Sequence, residues 1–191
     1  MKILILGANG YIGNHLSESL ADSGHEVSRV SRTSVDFDSN NALESLASLL
    51  LKENPRVVIN AVGSIDQRIQ SDPLKLIRAI LLPTYGLFDF YSKSKGSVAV
   101  DIFILGSMSA GEPRTSYPLY ASLKAAEVGL SKTAQETFLD SGITWRLLTV
   151  PRLKGGLGGQ RTGDNSGITS PDEGLKELAD TICREISFLS S

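Results

Sequence analysis

The sequence predicts an α/β fold, a single domain over residues 1–191 built on a doubly wound parallel sheet. Three observations predict it. Short apolar runs rich in Ile and Val alternate with stretches of helical length and pattern along the chain. Three glycines at regular spacing stand where the first run meets the first helix. A composition of 41% hydrophobic and 21% charged residues supplies one core at this length and leaves little for a second.

The first run, Lys2–Leu6, is shorter than the roughly 7–15 apolar residues of a signal-peptide core and reads as a buried strand. A helix over Tyr11–Ser23 and a strand over Glu26–Val30 follow, then a helix over Asn41–Glu53 and a strand over Arg56–Asn60. The next helix, Pro73–Lys93, opens on a proline and leads to a strand over Val98–Leu105. Ser116 and Pro118 mark the start of a helix over Tyr117–Asp140, which precedes a strand over Ile143–Val150 and a last helix over Pro171–Phe188. Right-handed crossovers then place helices on both faces of the sheet. Residues 151–170 break the alternation. Gly155, Gly156, Gly158, Gly159, Gly163 and Gly167 predict a mobile surface loop there, either a lid over a site or a linker.

Charge and composition exclude several functions. The 19 Lys and Arg residues nearly balance 21 Asp and Glu, and no run of like charge offers a nucleic-acid or membrane footprint. No stretch approaches the roughly 20 apolar residues of a membrane helix, so a soluble chain is expected. Cys183 is the single cysteine, which excludes an internal disulfide and a cysteine zinc cluster and suits a reducing, cytoplasmic setting. His15 and His25 read as surface or packing residues, too few for a metal site or a Ser/His/Asp triad.

Positive signals lie at the strand ends. Gly7-Ala8-Asn9-Gly10-Tyr11-Ile12-Gly13 gives GxxGxxG at the first strand-to-helix junction. Glycines there permit a tight turn, close approach of a diphosphate and close packing of helix on strand, and the helix N-terminus offers free N–H groups to an anion. The second strand carries Ser28-Arg29-Val30-Ser31-Arg32 and no carboxylate for a ribose 2′-hydroxyl. Arg32, with Arg29 and Ser31 nearby, instead suits a 2′-phosphate, whose oxygens match the planar guanidinium fork. NADP is therefore the expected cofactor, with NAD the alternative.

Tyr120-Ala121-Ser122-Leu123-Lys124 places a phenol and an ammonium on one helix face. A phenol releases its proton only near pH ~10, and a neighbouring ammonium favours the phenolate. Ser107, thirteen residues before Tyr120, stands just beyond the strand run that ends at Leu105, where its hydroxyl suits a substrate carbonyl. Ser109 is the alternative serine.

In this order the glycine turn, serine, tyrosine and lysine resemble the short-chain dehydrogenase/reductase superfamily, especially its extended and atypical members. The resemblance runs from Lys2 to about Phe188. It implies a Rossmann-type fold, a dinucleotide on Gly7, Asn9, Gly10, Tyr11, Ile12, Gly13, Ser31 and Arg32, and an adenine beside Asp36 and Phe37. It further implies that Asn60, Ala61, Val62, Gly63 and Pro151 border the cofactor, that Tyr120 and Lys124 touch it, and that no metal takes part. Ser107, Tyr120 and Lys124 become the catalytic residues of a carbonyl/alcohol oxidoreductase acting on a small molecule, and a homodimer through the Tyr117–Asp140 helix and its predecessor is implied.

Two departures bear on this expectation. Many members carry a catalytic asparagine before the serine strand, where this chain has Ile80. Pro83 removes the N–H that would bond the Ala79 carbonyl, which either leaves that carbonyl for a relay water or simply kinks or breaks the helix. Beyond Val150 the sequence leaves little for a substrate lobe, so Arg152, Lys154 and Arg161 of the glycine-rich stretch are expected to cover the substrate or to be solvated charge. The alternative functions are an NADP(H)-binding sensor without turnover and a nucleotide-sugar-modifying enzyme.

Overall fold

The computed structural model describes residues 1–63, 72–94, 98–111, 115–150 and 171–187. Five parallel strands form one sheet: β1 (Lys2–Leu6), β2 (Glu26–Val30), β3 (Val57–Asn60), β4 (Val100–Ser107) and β5 (Ile143–Val150). Around them lie α1 (Tyr11–Asp22), α2 (Ala42–Glu53), α3 (Pro73–Lys93), α4 (Pro118–Thr137) and α5 (Pro171–Ser187). The strand order is β2-β1-β3-β4-β5. The chain leaves β1 toward β2 on one side and returns to β3 on the other, so a switch point opens between β1 and β3.

Strand pleating sorts the core into two layers, since alternate side chains face opposite sides. Leu4, Leu6, Val58, Ile102 and Ile104 pack with Leu46, Leu50, Leu87, Tyr91 and Ala134 of α2, α3 and α4. Ile3, Ile5, Ile59, Phe103 and Leu105 pack with Leu16 and Leu20 of α1 and with Leu178, Ile182 and Ile186 of α5. Burial on both faces explains why β1 and β3 read as unbroken apolar runs. Tyr91 belongs to this core, and burial pushes its phenol far above the ordinary range, so it stays neutral.

Register aligns the strand ends that build the site. Leu6 pairs with Asn60, Asn60 with Ile104, and β4 continues to Ser107 opposite Val150. The ladder thus starts two residues later and ends two residues later than the Val98–Leu105 run suggests. At the opposite end, the buried Asp101 carboxylate is neutralised by Arg146, with Arg56 at 4.0 Å.

Helix starts follow their local chemistry. Asp72 caps α3 by accepting from the Lys75 N–H at 3.2 Å, with Pro73 in the first turn. Ser116 does not cap α4. The cap position is Tyr117, whose side chain makes no capping bond, and Pro118 fills the first turn. The helix α3 runs through Pro83 as one element, with Pro83 on its buried face, so of the alternatives the sequence left open a break is excluded.

Candidate active site

The glycine turn is held from three sides. The N–H groups of Gly7 and Ala8 donate to the Val30 carbonyl at 3.0 and 3.1 Å, and the Gly10 N–H donates to the Gly7 carbonyl at 2.9 Å. Gly7 adopts φ +76°, and a Cβ there would lie 2.9 Å from the Ala61 carbonyl oxygen. A Cβ on Gly13 would meet the Gly7 carbonyl oxygen at 2.2 Å. Both glycines are therefore required by backbone contact, one toward β3 and one between α1 and its own turn. Arg29 braces the same turn by donating to the Ala8 carbonyl at 3.2 Å and to Asn14 Oδ1 at 2.6 Å. Its guanidinium is thus committed beside the turn.

Between this turn and the loop after β2 lies a cleft of about 420 Å³. Gly7, Asn9, Gly10, Ser31, Arg32, Asp36, Phe37, Ala61, Val62 and Gly63 line it. Leu6, Val30, Thr33, Val35, Asp38 and Ala79 line it too, and sequence reasoning missed them as lining residues. Phe37 and Val35 are buried while Arg32 and Asp36 are exposed, giving an apolar floor with a polar rim. Arg32 makes no hydrogen bond or ion pair among the described residues. Asp36 accepts the Asp38 N–H at 3.1 Å, and Arg78 donates to the Asp38 carbonyl at 2.7 Å, fixing the loop against α3.

The residues fit a dinucleotide. The N-terminus of α1 carries no acidic residue in its first turn and no side-chain cap, so the N–H groups of Tyr11, Ile12 and Gly13 remain available to a diphosphate. The glycines give that diphosphate backbone approach.

Ser107, Tyr120 and Lys124 come from two adjoining elements, β4 and α4. Ser107 ends β4, and its Oγ accepts the Ser109 N–H at 3.2 Å, capping the short 3-10 helix Met108–Ala110 that packs on α4. Ser109 is half-buried on that turn. Tyr120 is half-buried, edge-on to Tyr117 at 5.9 Å, against Leu76, Ile80 and Leu123. Its hydroxyl has no hydrogen-bond partner among the described residues. The Ile80 position, where the family's asparagine was sought, is fully buried apolar surface.

Lys124 is only 4% exposed. Its Nζ donates to the Leu105 carbonyl at 3.0 Å and to Glu127 Oε2 at 2.6 Å, and it lies 3.8 Å from where a Cβ on Gly63 would stand. That last distance joins the Tyr-x-x-x-Lys helix to the edge of the cleft. Glu127, 1% exposed, accepts on Oε1 from Thr84 Oγ1 at 2.8 Å, and Thr84 accepts from Asn60 Nδ2 at 2.9 Å. Asn60 Oδ1 takes the Val62 N–H at 3.1 Å. Asn60 therefore lies behind the cleft wall and shapes its turn. Tyr11, Ile12, Gly13, Ser107, Tyr120 and Lys124 do not line the cleft, and of these Lys124 reaches its edge at Gly63. Pro151 and the glycine-rich stretch with Arg152, Lys154 and Arg161 fall outside the described residues.

A glycine turn at a sheet switch point, with a serine at a neighbouring strand end and a tyrosine and lysine on the helix that follows, defines an α/β domain of the dinucleotide-binding type. Residues 3–136 match the NAD dependent epimerase/dehydratase family, and the chain belongs to that family within the short-chain dehydrogenase/reductase superfamily. The oxidoreductase swnN of Metarhizium robertsii is 25% identical over 175 residues, covering 78% of this chain and 47% of that protein. The chain spans about half the length of that curated relative. A short-chain dehydrogenase from Burkholderia cenocepacia, solved with NADP, superposes at TM-score 0.77 with 15% identity over 95% of this chain and 83% of its own. One from Sphingobium yanoikuyae, solved with NADPH, superposes at 0.78 with 19% identity over 96% and 84%. At such identities the likeness is one of fold. No helix among the described residues is long and apolar enough to cross a membrane.

Proposed function

We propose that the protein is an NADP-dependent oxidoreductase that interconverts a carbonyl and an alcohol on a small molecule. The observation that carries this reading is the position of Lys124 Nζ, against the Leu105 carbonyl at 3.0 Å and beside Gly63, which brings the Tyr120 helix to the cleft edge. Bound NADP(H) would supply or accept the hydride. Gly7, Gly10 and the N-terminus of α1 hold the diphosphate, Asp36 and Phe37 flank the adenine, and Arg32 meets the 2′-phosphate. Lys124 holds the nicotinamide ribose. Ser107 donates to the substrate oxygen, and Tyr120 exchanges a proton with it.

Support for NADP over NAD comes from Arg32, exposed on the cleft rim and without an ion pair among the described residues. The wild-type protein is expected to bind NADPH more tightly than NADH in a fluorescence titration. Arg32→Ala is expected to weaken NADPH about tenfold, the worth of a hydrogen-bonded charge pair, while NADH is unaffected. A wild-type preference for NADH would defeat the assignment, and binding of neither would defeat the reading as a whole.

The reading extends to a homodimer, supported by Leu74, Ile77 and Tyr85, exposed along one side of α3. Light scattering on the purified protein tests it. A second reading, modification of a nucleotide-linked sugar, is favoured by the family match and uses the same Tyr120. Turnover of nucleotide sugars with no activity on simple carbonyls would establish it instead.

A further inference from the structure

Glu127 takes no part in the proposed chemistry, yet it is a carboxylate held in the core. Carboxylates are almost never fully buried unless paired, and this one is 1% exposed beside a lysine that is 4% exposed. A buried ion pair is a poor source of stability, since well-packed apolar residues of similar volume usually serve a fold as well or better. Ser131 and Ala134 continue the same buried face of α4, so Glu127 stands where a helix ordinarily carries a small or apolar residue. Its own carboxylate is nonetheless fully engaged, Oε2 by Lys124 and Oε1 by Thr84, which in turn accepts from Asn60. What this chain of bonds fixes is the Lys124 ammonium.

We propose that Glu127 is a positioning residue for Lys124, directing its one uncommitted N–H toward the nicotinamide ribose. An ammonium has three donors. Leu105 and Glu127 take two, from β4 and from one turn deeper in α4. The remaining donor has no partner among the described residues, and Nζ lies 3.8 Å from where a Cβ on Gly63 would stand, at the edge of the cleft. Thr84 and Asn60 tie the carboxylate to the turn at Val62, so the lysine and the cleft wall share one rigid set of bonds. Thr84 and Glu127 thereby supply polar support to the lysine although Ile80 stands in place of the family's asparagine.

The inference rests on the reading of Lys124 as a ribose ligand, and the test separates the two. Two probes are titrated: NADPH, and adenosine 2′,5′-bisphosphate, which lacks the nicotinamide and its ribose. Glu127→Gln is expected to weaken NADPH about tenfold and to leave the bisphosphate unchanged. Glu127→Asp retains the charge balance, guards against a folding failure, and is expected to show a smaller loss of the same selectivity. In a Lys124→Met background, Glu127→Gln should cause no further loss. Equal weakening of both probes would mean a structural role and overturn the inference, as would unchanged NADPH affinity. Wild-type protein that binds NADPH no better than the bisphosphate would overturn the ribose assignment itself and the inference with it. If NADH proves the tighter cofactor, NADH and AMP serve as the pair and the same outcomes decide.

Discussion

Gly13→Ala is expected to lower the melting temperature by on the order of 10 °C and to abolish NADPH binding. The added methyl would lie 2.2 Å from the Gly7 carbonyl oxygen, 2.8 Å from the Gly7 carbonyl carbon and 3.0 Å from the Ala8 Cα. All three are backbone, and the turn cannot yield, since Gly7 and Ala8 are bonded to Val30 and Gly7 also accepts from Gly10. Relief requires α1 to move off β1, where Leu16 and Leu20 are fully buried. Overpacking of this kind costs about 3 kcal/mol or more, at the upper end of what cores absorb. The helix-propensity gain of Ala over Gly, about 1 kcal/mol, does not offset it. Gly129 in α4 is the control, because the same substitution there meets nothing within 4 Å. Gly129→Ala is expected to raise the melting temperature by about 2–4 °C and leave NADPH affinity unchanged. Thermal denaturation and cofactor titration of the two variants decide the matter. If Gly13→Ala binds NADPH normally, the glycine turn is not the diphosphate cradle.

How much of this was legible in the sequence depends on the kind of signal. A central strand buried on both faces declares itself as an apolar run, as β1 does, and the edge strands β2 and β5, partly exposed, also fall where the sequence places them. Their ladders need not stop where the apolar residues stop. Gly106 and Ser107 extend β4 by pairing with Thr149 and Val150, a backbone property that hydropathy does not report. The loop after β2 has no periodicity, so Thr33, Val35 and Asp38 gave no sign of lining the cleft. Ser107, Tyr120 and Lys124 stand out in the sequence as candidates because their spacing along one strand end and one helix is local.

Glu127 was not, for a physical reason. A glutamate on a helix ordinarily faces water, and only the buried stripe of Lys124, Glu127, Ser131 and Ala134 reveals that this one faces the core. The spacing of that stripe was present in the sequence, but its polar members hid its direction. Asn60 shows the converse case. Its motif implies a place beside the cofactor, and its amide bonds Thr84 and the Val62 N–H, holding the turn that carries the lining residues Val62 and Gly63.

Tyr120→Phe is the substitution expected to cost most in turnover and least in structure. The hydroxyl has no partner among the described residues, so its removal strands no buried donor or acceptor. The ring keeps its edge contact with Tyr117 at 5.9 Å and its packing on Leu76, Ile80 and Leu123, and the melting temperature should barely move. Loss of a positioned acid or base typically lowers the rate by about 10²–10⁴-fold. NADPH oxidation against a panel of aldehydes and ketones is therefore expected to fall by that amount, with NADPH affinity retained. The other two residues give less clean variants. Ser107→Ala also removes the cap that accepts the Ser109 N–H, worth about 1 kcal/mol. Lys124→Met leaves the Glu127 carboxylate buried beside an apolar neighbour, a loss of about 3–5 kcal/mol for a broken buried pair. Only the tyrosine separates chemistry from fold, so unchanged turnover in Tyr120→Phe would remove it as the proton donor and, with it, the oxidoreductase mechanism argued from this helix.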